Sequence, residues 1–264
     1  MSGPAKLALI AGAGGLPGAV LAALPRRPYL CALEGFAADA TPDVTLRAER
    51  LIPFLHHLRE EGITEVCLVG AVRRPRMDPA LFDPATAMLV PAMIAAFAAG
   101  DDATLRFFLG LLEEHGLEVR GVDELAPGLL PGPGLLAGSL PPQAEADATR
   151  AAAIVAALGA VDVGQACVVA GGLCLGVEAL PGTDALLSQV AACAPQSGKG
   201  LLFKGAKPGQ DRRVDLPTVG LATVQGIARA GLAGLVIEAG SVILLDRDQV
   251  LDFAAAQGLF LWAR

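Results

Sequence analysis

The sequence predicts an α/β protein of two domains, the first built on a parallel sheet and the second, also α/β, on a sheet of mixed direction. Three observations lead there. Short apolar runs alternate with helix-period stretches through the first half, which is the rhythm of strands joined by crossover helices. Residues 126–142, APGLLPGPGLLAGSLPP, carry nine prolines and glycines in seventeen positions, a density that neither a helix nor a central strand tolerates. Beyond that stretch, ACVVAGGLCLGVEAL joins two apolar runs at Gly171 and Gly172, the pattern of an antiparallel hairpin. A chain of 264 residues is long enough for two cores, and the boundary placed in the Pro/Gly stretch gives domains 1–132 and 133–264.

Taken in order, LALIAG (7–12) reads as a strand, with a helix from about residue 17. PYLCAL (28–33) is the next strand, a helix spans Ile52 to Glu61, and EVCLVGAV (65–72) is the third strand. Helical patterns follow over 85–99 and 102–115, and GLEVRGV supplies another short strand. In the second half an alanine-rich helix covers 144–158, the hairpin follows, and a helix starts after GTDALL opens, with Thr183 as its expected N-cap. A strand in GLLFK, a helix near 222–230, apolar runs at 233–238 and 241–245, a helix from 247 and a final GLFLWA complete the chain.

The totals exclude several function classes. A net charge of −7 argues against a general nucleic-acid binder, because phosphate backbones are held by a basic field. Five cysteines, at 31, 67, 167, 174 and 193, form no CxxC pair and sit among apolar neighbours, so they read as buried thiols in a reducing compartment. His56, His57 and His115 make no zinc pattern, and any metal is expected to be a hard ion on oxygen ligands. Leu7 to Leu24 is uncharged, but Gly12, Gly14, Gly15, Pro17 and Gly18 break it into strand, turn and helix start, so a cytoplasmic, soluble chain is expected.

One window departs from the composition. Charged residues are 18% of the chain, yet Lys204, Lys207, Asp211, Arg212, Arg213 and Asp215 fall within the twelve residues KGAKPGQDRRVD. Three of the four lysines lie between 199 and 207, in a chain that elsewhere uses arginine. Compact ammonium groups on a loop shaped by Pro208 and Pro217 suit point-charge contact with phosphate; the competing reading is a solvated loop. GAGGLPG (12–18) follows a strand and opens a helix, so its amides could face a phosphate, but Pro17 stands where the dinucleotide fingerprint requires glycine. With Glu34 as a ribose-binding acid, the turn keeps an NAD(P)-dependent oxidoreductase open as an alternative. Gly70, Arg73, Arg74 and Arg76 follow the third strand on the same rim. Glu178 and Asp184 flank a glycine turn and could converge on a cation or be unrelated. Together these groups supply what cleavage of a phosphoanhydride needs: offset negative charge and an oriented water.

The segments DVGQACVV, GVEALPGTDALL, KPGQDRRVDLPTVG with AGLAGLVIEAG, and LIAGAGGLP together resemble the LpxI-type UDP-2,3-diacylglucosamine pyrophosphatases of lipid A biosynthesis, over nearly the whole chain. The resemblance implies a Rossmann-like amino-terminal domain and a catalytic α/β carboxyl-terminal domain. It implies hydrolysis of UDP-2,3-diacylglucosamine to UMP and 2,3-diacylglucosamine 1-phosphate, with Mg2+ or another divalent cation and water attacking the β-phosphorus. Asp215 of DLPT matches the essential acid, as metal ligand or base, with Glu178 and Asp184 completing the metal set. Lys204, Lys207 and Arg213 are the matching catalytic cations, and Gln210, Thr183, Thr218, Gly12, Gly14, Gly15, Leu16, Gly70 and Arg73 the substrate-binding positions. Pro181 departs from the family pattern, so the site is not extended there. A membrane-derived substrate implies peripheral contact with the cytoplasmic face of the inner membrane; a homo-oligomer and a non-catalytic sensor of a phosphorylated lipid or sugar are further readings.

Overall fold

A computed structural model describes residues 6–35, 40–72, 77–193 and 200–264. The chain divides into two compact units, Met1–Pro127 and Gly128–Arg264, each α/β, and the break falls at the start of the Pro/Gly-rich stretch.

The first unit runs β1 (Leu7–Ala11), α1 (Leu16–Ala23), β2 (Tyr29–Leu33), β3 (Val44–Leu46), α2 (Leu51–Glu60), β4 (Glu65–Val69), α3 (Pro84–Ala87), α4 (Val90–Ala99), α5 (Asp101–Glu114), β5 (Glu118–Val119) and α6 (Val122–Leu125). Its strands form one parallel sheet in the order β3-β2-β1-β4-β5. The chain therefore starts in the middle, builds outward to one side, then crosses to the other, leaving a topological switch point between β1 and β4. Ala8, Leu9, Leu30, Cys31, Val66 and Cys67 are buried on consecutive positions, as strands covered on both faces require. Helix α2 buries Leu51, Phe54, Leu55 and Leu58, the i, i+3, i+4, i+7 stripe of an amphipathic helix.

Two elements differ from the sequence expectation here. The single helix over 85–99 is two, because Pro91 has no N–H to give the Ala87 carbonyl that a continuous helix would bond; Asp83 caps α3 through Ala85 and Thr86, and α4 starts afresh at Val90. Strand β3 was not anticipated, since three residues paired only to β2 carry too little periodicity to read. Helix α4 is apolar around its circumference, yet within it only Met93 is buried, while Ile94 and the neighbouring Met88, 81% exposed, face outward.

The second unit runs β6 (Gly134–Ala137), α7 (Ala144–Gly159), β7 (Ala166–Ala170), β8 (Leu173–Val177), α8 (Thr183–Cys193), β9 (Leu201–Lys204), β10 (Thr218–Val219), α9 (Leu221–Arg229), β11 (Gly234–Ile237), β12 (Ile243–Leu244), α10 (Arg247–Ala256) and β13 (Phe260–Ala263). Six strands form a sheet in the order β6-β13-β11-β9-β7-β8: β13, β11 and β9 run parallel, while β6, β7 and β8 are antiparallel to their neighbours. Alternation sorts the strand residues onto two faces. Ala166, Val168, Leu202, Leu235 and Ile237 join the core under α8, α9 and α10, and Cys167, Val169, Leu201, Phe203 and Val236 join the core under α7. Strand β6 emerges from the Pro/Gly stretch as an edge strand, where Pro133 withholds no needed ladder bond. Strands β10 and β12 pair in a separate two-stranded ribbon.

The hairpin between β7 and β8 turns at Gly171 (φ 58) and Gly172 (φ 79), both left-handed, and both amides donate to the buried Asp147 carboxylate of α7 at 2.9 and 2.7 Å. Cys31, Cys67 and Cys167 are buried, and burial pushes each thiol up to about 12. Cys174 is exposed on the edge strand β8, contrary to the expectation that it is a core thiol. Among the described residues no helix is long and apolar enough to cross a membrane.

Candidate active site

In the first unit the glycine turn and the end of β4 meet at the switch point. Gly12 N–H donates to Val69 O at 2.8 Å, and Ala13 and Ala71 exchange backbone hydrogen bonds at 2.8 and 2.9 Å. A Cβ on Gly12 would lie 2.6 Å from Ala71 O, and one on Gly70, whose φ is 90°, would lie 2.8 Å from Ala13 O. These two glycines thus make room for each other's loops, a structural demand that the sequence expectation assigned to a phosphate. Gly14 (φ 95) and Gly15 are exposed, and Leu16 begins α1, so their amides remain at the carboxyl edge of the sheet where α/β proteins take ligands. Glu34 is engaged by Arg47 at 2.9 Å. Arg73, with Arg74 and Arg76, lies outside the described residues.

In the second unit the strand ends organise a buried charged chain. Lys204, the last residue of β9, faces the α8–α10 core and is only 6% exposed. Its Nζ donates to Thr183 Oγ1 at 2.9 Å, the Thr183 hydroxyl donates to Glu178 Oε1 at 2.9 Å, and Glu178 Oε2 accepts the Gln165 amide at 3.2 Å. Burial pulls the Lys204 ammonium below its ordinary pKa, opposed by the negative charges of Glu178 and of Asp184 in the first turn of α8. Thr183 is therefore not the N-cap predicted from sequence. It is the first residue of the helix, and its hydroxyl is committed sideways to Lys204 and Glu178.

After β9 the charged loop is held by its own ions. Lys207 Nζ pairs with Asp162 at 2.6 Å, while its backbone N–H donates to Gln210 Oε1 at 2.9 Å. Arg213 grips Asp211 through Nε and Nη2, at 3.0 and 2.7 Å, and Arg212 donates to Ser241 Oγ at 2.9 Å and to the Gly240 carbonyl. Gly159, at the end of α7, lies so close to Pro208 that a Cβ there would be 2.7 Å from Pro208 Cδ. Asp215 sits just before β10; its amide donates to Asp211 O at 3.1 Å, and among the described residues no side chain pairs with its carboxylate. Thr218 opens β10, its hydroxyl 3.4 Å from Leu216 O.

The structure thus brings Lys204, Thr183, Glu178 and Asp184 together, and Lys207, Gln210, Arg213 and Asp215 along one loop. It does not gather Asp215, Glu178 and Asp184 into a metal cage: among the described residues no three His, Cys, Asp or Glu side chains are placed to hold an ion. Glu178 has both oxygens committed and a buried ammonium two bonds away along the chain, which repels a cation from that carboxylate. Asp215 remains a donor of the right chemistry, since magnesium is usually held by one or two carboxylates together with substrate phosphates. Sequence reasoning missed Asp162, Gln165, Glu238 and Ser241. Each is a partner supplied by a distant segment, and only the positive φ of Asp162 (54°), invisible in sequence, marks it locally.

Two family descriptions match, the LpxI N-terminal domain over residues 6–129 and the LpxI C-terminal domain over residues 133–262. A curated relative, the UDP-2,3-diacylglucosamine pyrophosphatase LpxI of Caulobacter vibrioides, is 38% identical over 270 aligned positions that cover 97% of this chain and 96% of the relative. With both domains matched and the curated relative covered almost end to end, the chain belongs to the LpxI family.

Proposed function

We propose that this chain hydrolyses the pyrophosphate bond of UDP-2,3-diacylglucosamine, giving UMP and 2,3-diacylglucosamine 1-phosphate. The observation that carries the reading is the full-length match to a relative bearing that activity in its name, with Asp215 left unpaired among described residues at the head of β10. Water adds to the β-phosphorus, the bond from that phosphorus to the bridging oxygen breaks, and UMP leaves with the bridging oxygen. The water's proton passes to solvent or to a carboxylate, for which Asp215 is the candidate.

The residues fit a division of labour. A divalent cation, magnesium by its oxygen chemistry, would be held by Asp215 and the substrate's own phosphate oxygens and would offset their charge. Lys207 and Arg213 stand on the same loop in exchangeable ion pairs with Asp162 and Asp211, so phosphate oxygens can compete for them. Lys204 adds a fixed positive charge whose position Thr183 and Glu178 define. The exposed Gly14–Gly15 turn is the candidate for the nucleotide half, and α4, apolar and outward facing, for contact with the lipid surface that such a substrate comes from. The oxidoreductase alternative is disfavoured by the Pro17 departure and by Glu34 being held on Arg47.

The test is release of UMP from the diacylated UDP-sugar by purified protein with magnesium. Turnover should stop on chelation, and Asp215→Asn should cut it by about 100-fold or more while substrate still binds. A folded protein that releases no UMP overturns the reading, and retained binding without turnover in the unaltered chain would make it a sensor.

A further inference from the structure

The histidines have no zinc spacing in the sequence, yet the fold of the first unit brings two of them together. His56 is exposed on α2, and His115 caps the carboxyl end of α5; their ring centroids lie 6.2 Å apart with the planes tilted by 43°. The third, His57, is engaged elsewhere, its Nε2 lying 2.9 Å from the Tyr29 hydroxyl.

The ring nitrogens decide what this pair can do. His115 Nδ1 lies 2.8 Å from the Leu111 carbonyl, which can only accept, so Nδ1 carries the hydrogen and Nε2 of the neutral ring presents its lone pair. That is the arrangement of a metal-binding histidine, whose other nitrogen is ordinarily held by a backbone carbonyl or a carboxylate. Among the described residues no hydrogen-bond partner takes His115 Nε2 or either ring nitrogen of His56. Two imidazoles on one ion, each about 2.0–2.1 Å from it, have ring centres about 5–6 Å apart, so a small side-chain rotation closes the pair on a shared ion. The surroundings favour positive charge. The carbonyl end of α5 lies at His115, Glu113 and Glu114 precede it, and Glu60 stands one turn along α2 from His56, with Arg59 opposing.

We propose that His56 and His115 together bind a borderline divalent transition-metal ion, zinc or copper(II), with water filling the remaining positions. Imidazole nitrogen suits such ions, whereas magnesium demands an octahedron of oxygens. Among the described residues no third His, Cys, Asp or Glu completes the set, so the site is open and its ion exchangeable. Bound there, the ion clips α2 to the end of α5 and stabilises the first unit by linkage. The site stands apart from the proposed reaction, which calls for a hard ion on carboxylate and phosphate oxygens.

The experiment is calorimetric titration of the tag-free full chain with zinc and with magnesium, repeated on His56→Asn, His115→Gln, His57→Asn and Cys174→Ser, with metal-free thermal melts checking each fold. Zinc should bind the unaltered chain and raise its melting temperature. His56→Asn and His115→Gln should each weaken zinc binding at least ten-fold, while His57→Asn and Cys174→Ser, which removes the exposed thiol, should leave it intact. Paramagnetic resonance of copper(II) added at one equivalent then reads the ligands: two imidazole nitrogens in the unaltered chain, fewer in His56→Asn and in His115→Gln. The proposal is overturned if zinc does not bind, if either folded histidine variant of the pair binds it as tightly, if magnesium binds the pair equally well, or if copper in the unaltered chain shows fewer than two imidazole nitrogens.

Discussion

Lys204 is the residue where burial and charge conflict most openly. It is a lysine at the end of a core strand, kept in place by a threonine hydroxyl that in turn rests on a carboxylate. Because burial is the largest influence on it, its folded pKa lies below the ordinary lysine value of 10.5 that an unfolded chain approaches. Below the folded pKa both states carry the proton and the cost of burying the charge is fully present; as pH rises through the folded pKa toward 10.5, the folded state gives up its proton first, the unfolded state binds more, and stability rises. Denaturant melts should therefore show the stability of the unaltered chain rising relative to Lys204→Met between neutral pH and about 10.5. A difference that is flat across that window would mean that Glu178 and Asp184 cancel the burial effect.

At the scale of elements, the β7–β8 hairpin shows how a helix fixes a turn. Two left-handed glycines would make a good turn alone, but Asp147 of α7 reaches over the strand end and binds both amides, tying helix to hairpin. Asp147→Ala removes two charge-assisted hydrogen bonds and is expected to cost about 2–3 kcal/mol. Chemical denaturation is the measurement, with hydrogen exchange at Gly171 and Gly172 rising. Exchange at those amides unchanged from the parent would mean that the turn stands without the helix. The Gly12–Gly70 approach is the corresponding device in the first unit, where two loops zip together at the switch point.

At the scale of the whole molecule, two units with separate sheets and cores predict two calorimetric transitions. Gly70→Ala puts a side chain into backbone at a φ of 90°, so it should lower one transition and leave the other in place. A shift of both together would show that the units melt as one. Much of this architecture was legible in the chain: apolar runs of the right length located β1, β2, β4, β7, β8, β9, β11 and β13, and paired glycines located the hairpin. Local pattern reached those features because burial on both faces of a strand and left-handed turn geometry each leave a mark on consecutive residues. It missed β3 and the break before α4, where a few residues or a single absent N–H decide. For the site, composition exposed the loop from Lys204 to Asp215 as unusual, and the family motifs singled out its residues. What their side chains do was decided only by tertiary structure: Asp162, Thr183 and Ser241 come from other segments to occupy Lys207, Lys204 and Arg212, and Gln210 is turned so that its side-chain oxygen takes the Lys207 amide. Charge type and spacing are written in sequence, whereas which opposite charge or hydroxyl lies within 3 Å depends on how distant strands and helices pack.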